Sequence, residues 1–396
     1  MKTTNTGFGA ITLAAMIAIS GCSAAGSTSG AASPSAGASD SGAASASAGA
    51  SDSGGASASG AASDSGGASA SGGATVSGAA KRACVILPDA ASSPRWELGD
   101  RPALIKAFAA AHITADIQNA QGDASKYATI AQQQLTKGCN VFLLVDYNGA
   151  GIQVAAKAKA QGIPVIAYDR PIKGADYYVS FDNFHVGQLE GQMIVDGLAA
   201  EKKDPKTASV VYVGGDPTDG NAKQFHDGAV SVMSKVGIKA AFTTPGTWVN
   251  TKAGTFFEQG FTALKGKVDA AWVANDANAA SVISVLDKNH LKVPVSGQDA
   301  SPAGLQNILL GKQTGTVYKP FQLEADAASK LAIELIAGRK PTVTIMAADG
   351  TRFIAESPIS VNAKNMQQVF TNNNAKYSEI CTADVVAACK AAGLHQ

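Results

Sequence analysis

From residue 81 to about 337 the chain alternates short apolar runs, rich in β-branched residues, with longer Ala/Lys/Gln-rich stretches whose apolar positions recur at helical spacing. The short runs predict strands over 85–87, 114–117, 141–145, 165–168 and 178–181. The stretches between them predict helices, among them 102–111, 125–137 and 151–161. Such alternation marks βαβ units wound around a parallel sheet. A second series begins after Gly187: helix to about 198, strand 209–213, helix 222–236, strand 240–243, helix 253–264, strand 270–274, helix 277–289 and strand 293–296. A helix over 303–310, a strand over 316–318 and a long helix over 321–337 follow, and then extended segments. The pattern predicts an α/β protein of two doubly wound parallel-sheet lobes. The late return predicts a hinge of several crossing strands. We expect the first lobe to comprise 81–184 and 300–340, the second 185–299 and 341–380, and residues 381–396 to form a tail.

The N-terminal segments follow a different pattern. Residues 22–80 are almost wholly Ala, Ser, Gly and Asp, with near-repeats starting at Ser53 and Ser65. Such a composition cannot bury a core, and reads as a flexible tether with a reach on the order of 40 Å. Ahead of it, Lys2 and an apolar stretch from Phe8 to Ile19 read as an export signal over residues 1–21, too short to span a bilayer comfortably. The sequence Ile19-Ser20-Gly21-Cys22 resembles a bacterial lipobox. It implies cleavage before Cys22, acylation of its thiol and anchoring on the outer face of the cell membrane. An ordinary signal peptide with an unrelated cysteine is the alternative.

Export places the other four cysteines in an oxidising compartment, where pairing is expected. Cys381 and Cys389 would close a short C-terminal loop, and Cys84 and Cys139 each precede an apolar run at the same end of neighbouring strands. Four buried free thiols are the competing reading. The 32 Lys+Arg nearly balance 31 Asp+Glu, for a formal charge of +1. No electrostatic footprint for nucleic acid or an anionic surface follows, and the expected guest is neutral. Nothing in the sequence indicates an oligomer, so a monomer is expected.

Ligands of open parallel sheets sit beyond the C-terminal ends of the strands, so the residues just after each apolar run carry the information. They are Asp89 with Arg95 and Trp96, then Asp146 to Asn148, Asp169-Arg170 and Asp182-Asn183. The second series contributes Asp216 to Asn221, Trp248, Asn275-Asp276 and Gln298-Asp299, and Lys319 follows the last strand. Carboxylates, amides and cations hydrogen-bond hydroxyls, with charged partners contributing about 1.5–3 kcal/mol per bond. Trp96 and Trp248 offer flat faces to the C–H side of a sugar ring. Each has a plainer role open to it: Asp89, Asp146 and Asp182 suit helix N-caps, Asp169-Arg170 a structural ion pair, and Trp248 the core.

Enzymes on doubly wound sheets bring motifs that this chain lacks. Pro88-Asp89 stands where a dinucleotide fold places its glycine fingerprint, and no Gly-x-Ser-x-Gly elbow occurs. The five His show no metal-ligand spacing, and Gly214-Gly215-Asp216 lacks the Lys-Ser/Thr of a P-loop. No catalytic role, cofactor or metal is expected. A sugar-responsive repressor shares the two-lobed core but needs an N-terminal helix-turn-helix, which residues 23–80 cannot form.

As a set, Arg95-Trp96, Tyr147-Asn148-Gly149, 166–170 (Ile-Ala-Tyr-Asp-Arg), 179–183 (Val-Ser-Phe-Asp-Asn), 221–223, 275–277, 296–300 (Ser-Gly-Gln-Asp-Ala) and 316–320 (Thr-Val-Tyr-Lys-Pro) resemble the bacterial periplasmic xylose-binding proteins. The resemblance runs from about 85 to 337. It implies the type I periplasmic-binding fold, with a monosaccharide of the xylose or glucose type clamped between lobes and delivered to an ATP-binding-cassette (ABC) importer. By it, Arg95, Asp169 and Arg170 match sugar-binding positions of the first lobe, Asn221, Asp276 and Asp299 those of the second and its border, and Lys319 a further one. The tether, the lipobox and the C-terminal cysteine pair depart from the soluble members and bear on anchoring only. An extracellular sensor presenting the loaded form to a membrane receptor would use the same site.

Overall fold

The computed structural model describes residues 80–371 and 375–395. The expected signal segment, Cys22 and the tether to residue 79 lie outside the described residues.

The first lobe winds β1 (Arg82–Leu87), α1 (Arg101–Ala110), β2 (Thr114–Asn119), α2 (Ala124–Thr136), β3 (Val141–Leu144), α3 (Ala150–Ala160), β4 (Val165–Tyr168) and β5 (Tyr177–Phe181). Residues 83–87 are fully buried, as befits a central parallel strand covered on both faces. Val85, Leu87 and Leu143 meet Leu104 and Phe108 of α1, while Ile86, Phe142 and Leu144 meet Tyr127, Ile130 and Val154 on the other face. The order β2-β1-β3-β4-β5 places the topological switch between β1 and β3.

The chain then enters the second lobe: α4 (Asn183–Ala200), β6 (Val210–Val213), α5 (Gly220–Met233), β7 (Ala240–Thr243), α6 (Asn250–Ala263), β8 (Ala270–Val273), α7 (Asp276–Lys288), α8 (Pro302–Leu309) and β9 (Thr316–Tyr318). Its sheet runs β7-β6-β8. Helices α4 and α5 nearly touch through backbone. A Cβ on Gly187 would stand 2.0 Å from the Phe225 carbonyl oxygen, and one on Gly228 would stand 2.1 Å from that of Phe184.

Helix α9 (Phe321–Ile336) returns to the first lobe, where Leu331 and Ala328 join its core. Strands β10 (Ile345–Met346) and β11 (Arg352–Glu356) extend the first sheet, β11 pairing parallel with β5. Strand β12 (Ile359–Val361) crosses back and pairs antiparallel with β9. The short helices α10 (Gln367–Thr371), α11 (Tyr377–Ile380) and α12 (Val386–Ala391) close the chain. Three crossings therefore join the lobes, and the Asp182 amide donates to the Glu356 carbonyl to tie two of them together.

Strand pairing redraws the expected division of the C-terminal third. Residues 300–318 stay with the second lobe, because Gln298 bridges Val317 and β9 takes β12 as partner. Residues 352–356 belong to the first sheet, where the sequence reading put them in the second lobe. The expected strand over 293–296 shrinks to one bridge, Ala271 with Val295. Pro294 supplies no amide to a ladder there. The last segment is helical rather than extended. Both expected cysteine pairs form disulfides, Cys84–Cys139 and Cys381–Cys389, with Cα atoms 5.8 and 6.0 Å apart.

Candidate functional site

The loops after the strands of both lobes face one another across a cleft. Its inner part is built around Arg95, in the turn between β1 and α1. The Arg95 guanidinium donates from Nε and Nη2 to the two Asp100 oxygens at 2.8 and 2.7 Å, from Nη1 to Asp169 at 2.9 Å and from Nη2 to Glu324 at 2.5 Å. Tyr168 also donates its hydroxyl to Asp100. Burial opposes the Arg95 charge, but Asp100, Glu324 and Asp169 outweigh it and raise its pKa well above the ordinary value. Burial pushes the Glu324 carboxyl well above the usual range, against the pull of Arg95.

Asp169 follows β4 in a left-handed conformation, φ 63°. Its carbonyl accepts Ser180 Oγ at 2.7 Å and, from the other lobe, Asn221 Nδ2 at 2.8 Å, and the Tyr178 hydroxyl stands 3.0 Å from both this carbonyl and Asn221 Oδ1, with one proton to share between them. Arg170 spans the cleft as well. Its Nη1 donates to the Asp146 carbonyl at 3.0 Å and its Nε lies 3.2 Å from Asp219 of the second lobe. Beneath both arginines lies the buried Trp96 ring, 4.7 Å from Arg95 and 5.8 Å from Arg170, its indole N–H donated to Ser92.

From the second lobe, Trp248 donates its indole N–H to Asp219 at 3.0 Å and lies over Gly215, where a Cβ would come within 2.1 Å of the ring. Asn275, the N-cap of α7, and Gln298 complete that wall. Lys319 pairs with Asp299 at 3.1 Å, and its ammonium stands 5.6 Å from the Phe225 ring. Burial lowers the Lys319 pKa, but Asp299 and Asp169 raise it by more. Three cations thus face Asp100, Asp169, Asp219, Asp299 and Glu324. Burial pushes the Asp219 carboxyl up as well, against the pull of Arg170.

The Arg170–Asp219 pair divides the cleft. The inner pocket, with Arg95, Trp96, Asp169, Asn221, Asp299 and Lys319 in its wall, retains about 30 Å³ of free space. The outer chamber, about 260 Å³, lies among Asp89, Gln121, Tyr147 and Asn148 of the first lobe and Asp216, Thr218, Trp248 and Asn250 of the second.

Most of the expected residues therefore converge on the cleft. Three stand elsewhere or do other work. Asp182 is exposed and caps α4 by accepting the His185 amide, at a hinge crossing. Asp89 borders the outer chamber, but its carboxylate is occupied by the Ala91 and Ser92 amides and the Ser92 hydroxyl. Asp276, expected as a ligand, is fully buried under the cleft wall and lines neither pocket. It accepts Gln313 Nε2 at 2.7 Å, the Ser301 amide at 2.8 Å and Thr316 Oγ1 at 3.0 Å. A Cβ at Gly297 or Gly304 would fall within 2.3 Å of its carboxylate, so two glycines make room for it. Its neighbour Asn275 takes the cleft position. Asn148 lies at the mouth, accepting the Thr218 hydroxyl across the lobes at 3.1 Å. Asp219, Asn275 and Gln298, named among the post-strand residues but not among the positions matched by the resemblance, also line the inner pocket, as does Ser92, which the sequence reading did not single out. Asp100 and Glu324 sit on helical segments, where that rule gives no signal.

A model of the periplasmic binding protein domain matches residues 84–340. The D-xylose-binding periplasmic protein of Escherichia coli is 33% identical over 286 residues, 69% of this chain and 84% of that one. The chain belongs to the periplasmic sugar-binding proteins of the xylose-binding type. Another relative of this family, the multiple sugar-binding periplasmic receptor ChvE of Rhizobium radiobacter, is 30% identical over 315 residues, 72% of this chain and 88% of its own. The fold of the family recurs in a carbohydrate transporter solute-binding protein from Chloroflexus aurantiacus in complex with D-glucose. That structure has a TM-score of 0.67 at 23% identity, over 76% of this chain and 98% of the other. Proteins of this family bind sugars for transport and are not enzymes.

Proposed function

We propose that this protein captures a monosaccharide of the xylose or glucose type between its lobes and delivers it to an ABC importer, performing no reaction on it. It works as a monomer outside the cytoplasm, held on the outer face of the cell membrane by acylated Cys22. The observation that carries the reading is the inner pocket: cations, carboxyls and amides from both lobes, interleaved rather than segregated by sign, beside the Trp96 and Trp248 rings. A hydroxyl can donate to Asp169 or Asp299 and accept from Arg95, Arg170, Lys319 or Asn221, taking over half of each existing ion pair. An anionic guest would face the carboxyls and a cationic one the arginines. The xylose- and multiple-sugar-binding relatives support the same class of guest.

Titration calorimetry of the purified binding domain with xylose, glucose, galactose, arabinose and ribose tests this. We expect saturable one-to-one binding of xylose or glucose. No heat with any of the five would overturn the reading.

A further inference from the structure

We propose that the outer chamber is a second sugar subsite, so that the protein takes a disaccharide with one ring in the inner pocket and the next in the chamber. This rests on the monosaccharide reading above and extends it. The two spaces adjoin across the Arg170–Asp219 pair, sharing Ser92, Arg170, Asp219 and Trp248 in their walls. At about 260 Å³ the chamber approaches the ~300 Å³ lower end of ordinary small-molecule sites.

Its lining is also chemically that of a carbohydrate site. Tyr147 and Trp248 supply flat faces from opposite lobes, Gln121 and Asn250 supply amides, and Asp216 and Thr218 supply a carboxylate and a hydroxyl. Asp89, Asp216 and Asp219 against the single cation Arg170 disfavour uronates and sugar phosphates, leaving a neutral second ring. The Arg170–Asp219 pair stands where the two rings would join, so the disaccharide has to open this pair and replace it with bonds from the linking oxygen and its flanking hydroxyls.

Xylobiose, cellobiose and maltose, titrated beside xylose and glucose, provide the test. At least one disaccharide is expected to bind within tenfold of the better monosaccharide, or tighter. Val249→Trp, at a half-exposed position in the chamber wall, should fill the space. It should weaken the disaccharide at least tenfold and leave the monosaccharide within twofold. Asn250→Ala should act in the same sense, severalfold. If monosaccharides bind and none of the three disaccharides does, the chamber is only the mouth of the cleft and the proposal fails alone. It fails equally if the two substitutions weaken both sugar sizes alike or neither. If no sugar of either size binds, the monosaccharide reading falls with it.

Discussion

Asp169 combines a left-handed backbone, an ion pair with Arg95 and a carbonyl that receives a hydrogen bond from the other lobe. Asn tolerates such a backbone nearly as well as Asp, so Asp169→Asn isolates the charge. Sugar affinity should fall about tenfold to a hundredfold, the ~1.5–3 kcal/mol of a charged hydrogen bond, with little change in melting temperature. Calorimetry with a parallel thermal melt checks both. Unchanged affinity would remove Asp169 from the site. Asp276 leads to a different measurement. Burial raises its carboxyl pKa from 3.8 to about 7, with the nearby Asp299 charge adding to the shift against the hydrogen bonds it accepts. Between those values the folded state keeps a proton that the unfolded chain has lost, so stability is full below about pH 4 and declines as the pH rises to about 7. The slope is at most about 1.4 kcal/mol per pH unit for this one group. Melts from pH 4 to 8 should show that decline, and Asp276→Asn should flatten it in part, since burial also raises Glu190 and Glu324. An identical profile in the variant would refute the assignment. The post-strand rule found the cleft residues because strand ends are visible as the ends of apolar runs. It could not tell Asn275 from Asp276, since adjacent residues at a helix start differ only in which way they point.

At the scale of elements, β1, β3, β4 and β6 were legible because strands buried on both faces must be continuously apolar. Strand β11 was not. Its residues, Arg-Phe-Ile-Ala-Glu, are only partly buried at a sheet position next to the edge, and nothing local to them names β5 as the partner. For the same reason the sequence could not say which lobe owns 300–318. The two disulfides differ in what they hold. Cys84–Cys139 joins the start of β1 to the approach of β3, 55 positions apart in sequence, and lies in the core on one face of the first sheet. Loop-closure entropy for such a span is worth about 4 kcal/mol. Cys84→Ser with Cys139→Ser should lower the melting temperature by roughly 5–15 °C. Cys381 and Cys389 lie 8 positions apart, the second within α12, so removing their bond should loosen the C-terminal helices and cost less. Equal losses from the two pairs in a calorimetric scan would contradict this ordering.

At the scale of the whole molecule, affinity depends on how readily the lobes come together as well as on what touches the sugar. A ligand that bridges both lobes shifts the population toward the closed form by its differential contacts. Any bond made only on closure adds to the apparent affinity without meeting the ligand. Tyr178 is the candidate to test, because it reaches from the first lobe to Asn221 of the second. Its hydroxyl lies 3.0 Å from both the Asp169 carbonyl and Asn221 Oδ1, accepts Asn183 Nδ2 at 3.2 Å, and lines neither pocket. The ring itself is stacked on Phe353 at 4.5 Å, within the first lobe. Tyr178→Phe should therefore keep the fold and remove one buried tie between Asn221 of the second lobe and the first. Losing a single neutral hydrogen bond, ~0.5–1.5 kcal/mol, corresponds to a twofold to tenfold weaker sugar complex. The loss should appear mainly in a faster dissociation rate, because the tie forms after the sugar is already held by one lobe. Stopped-flow kinetics with scattering in the presence and absence of sugar would separate the cases. If dissociation is unchanged and the compaction is the same as in the parent, the Tyr178 tie persists in the open form and belongs to the hinge, leaving closure to other cross-lobe contacts such as Arg170–Asp219, Asn148–Thr218 and Asn221–Asp169.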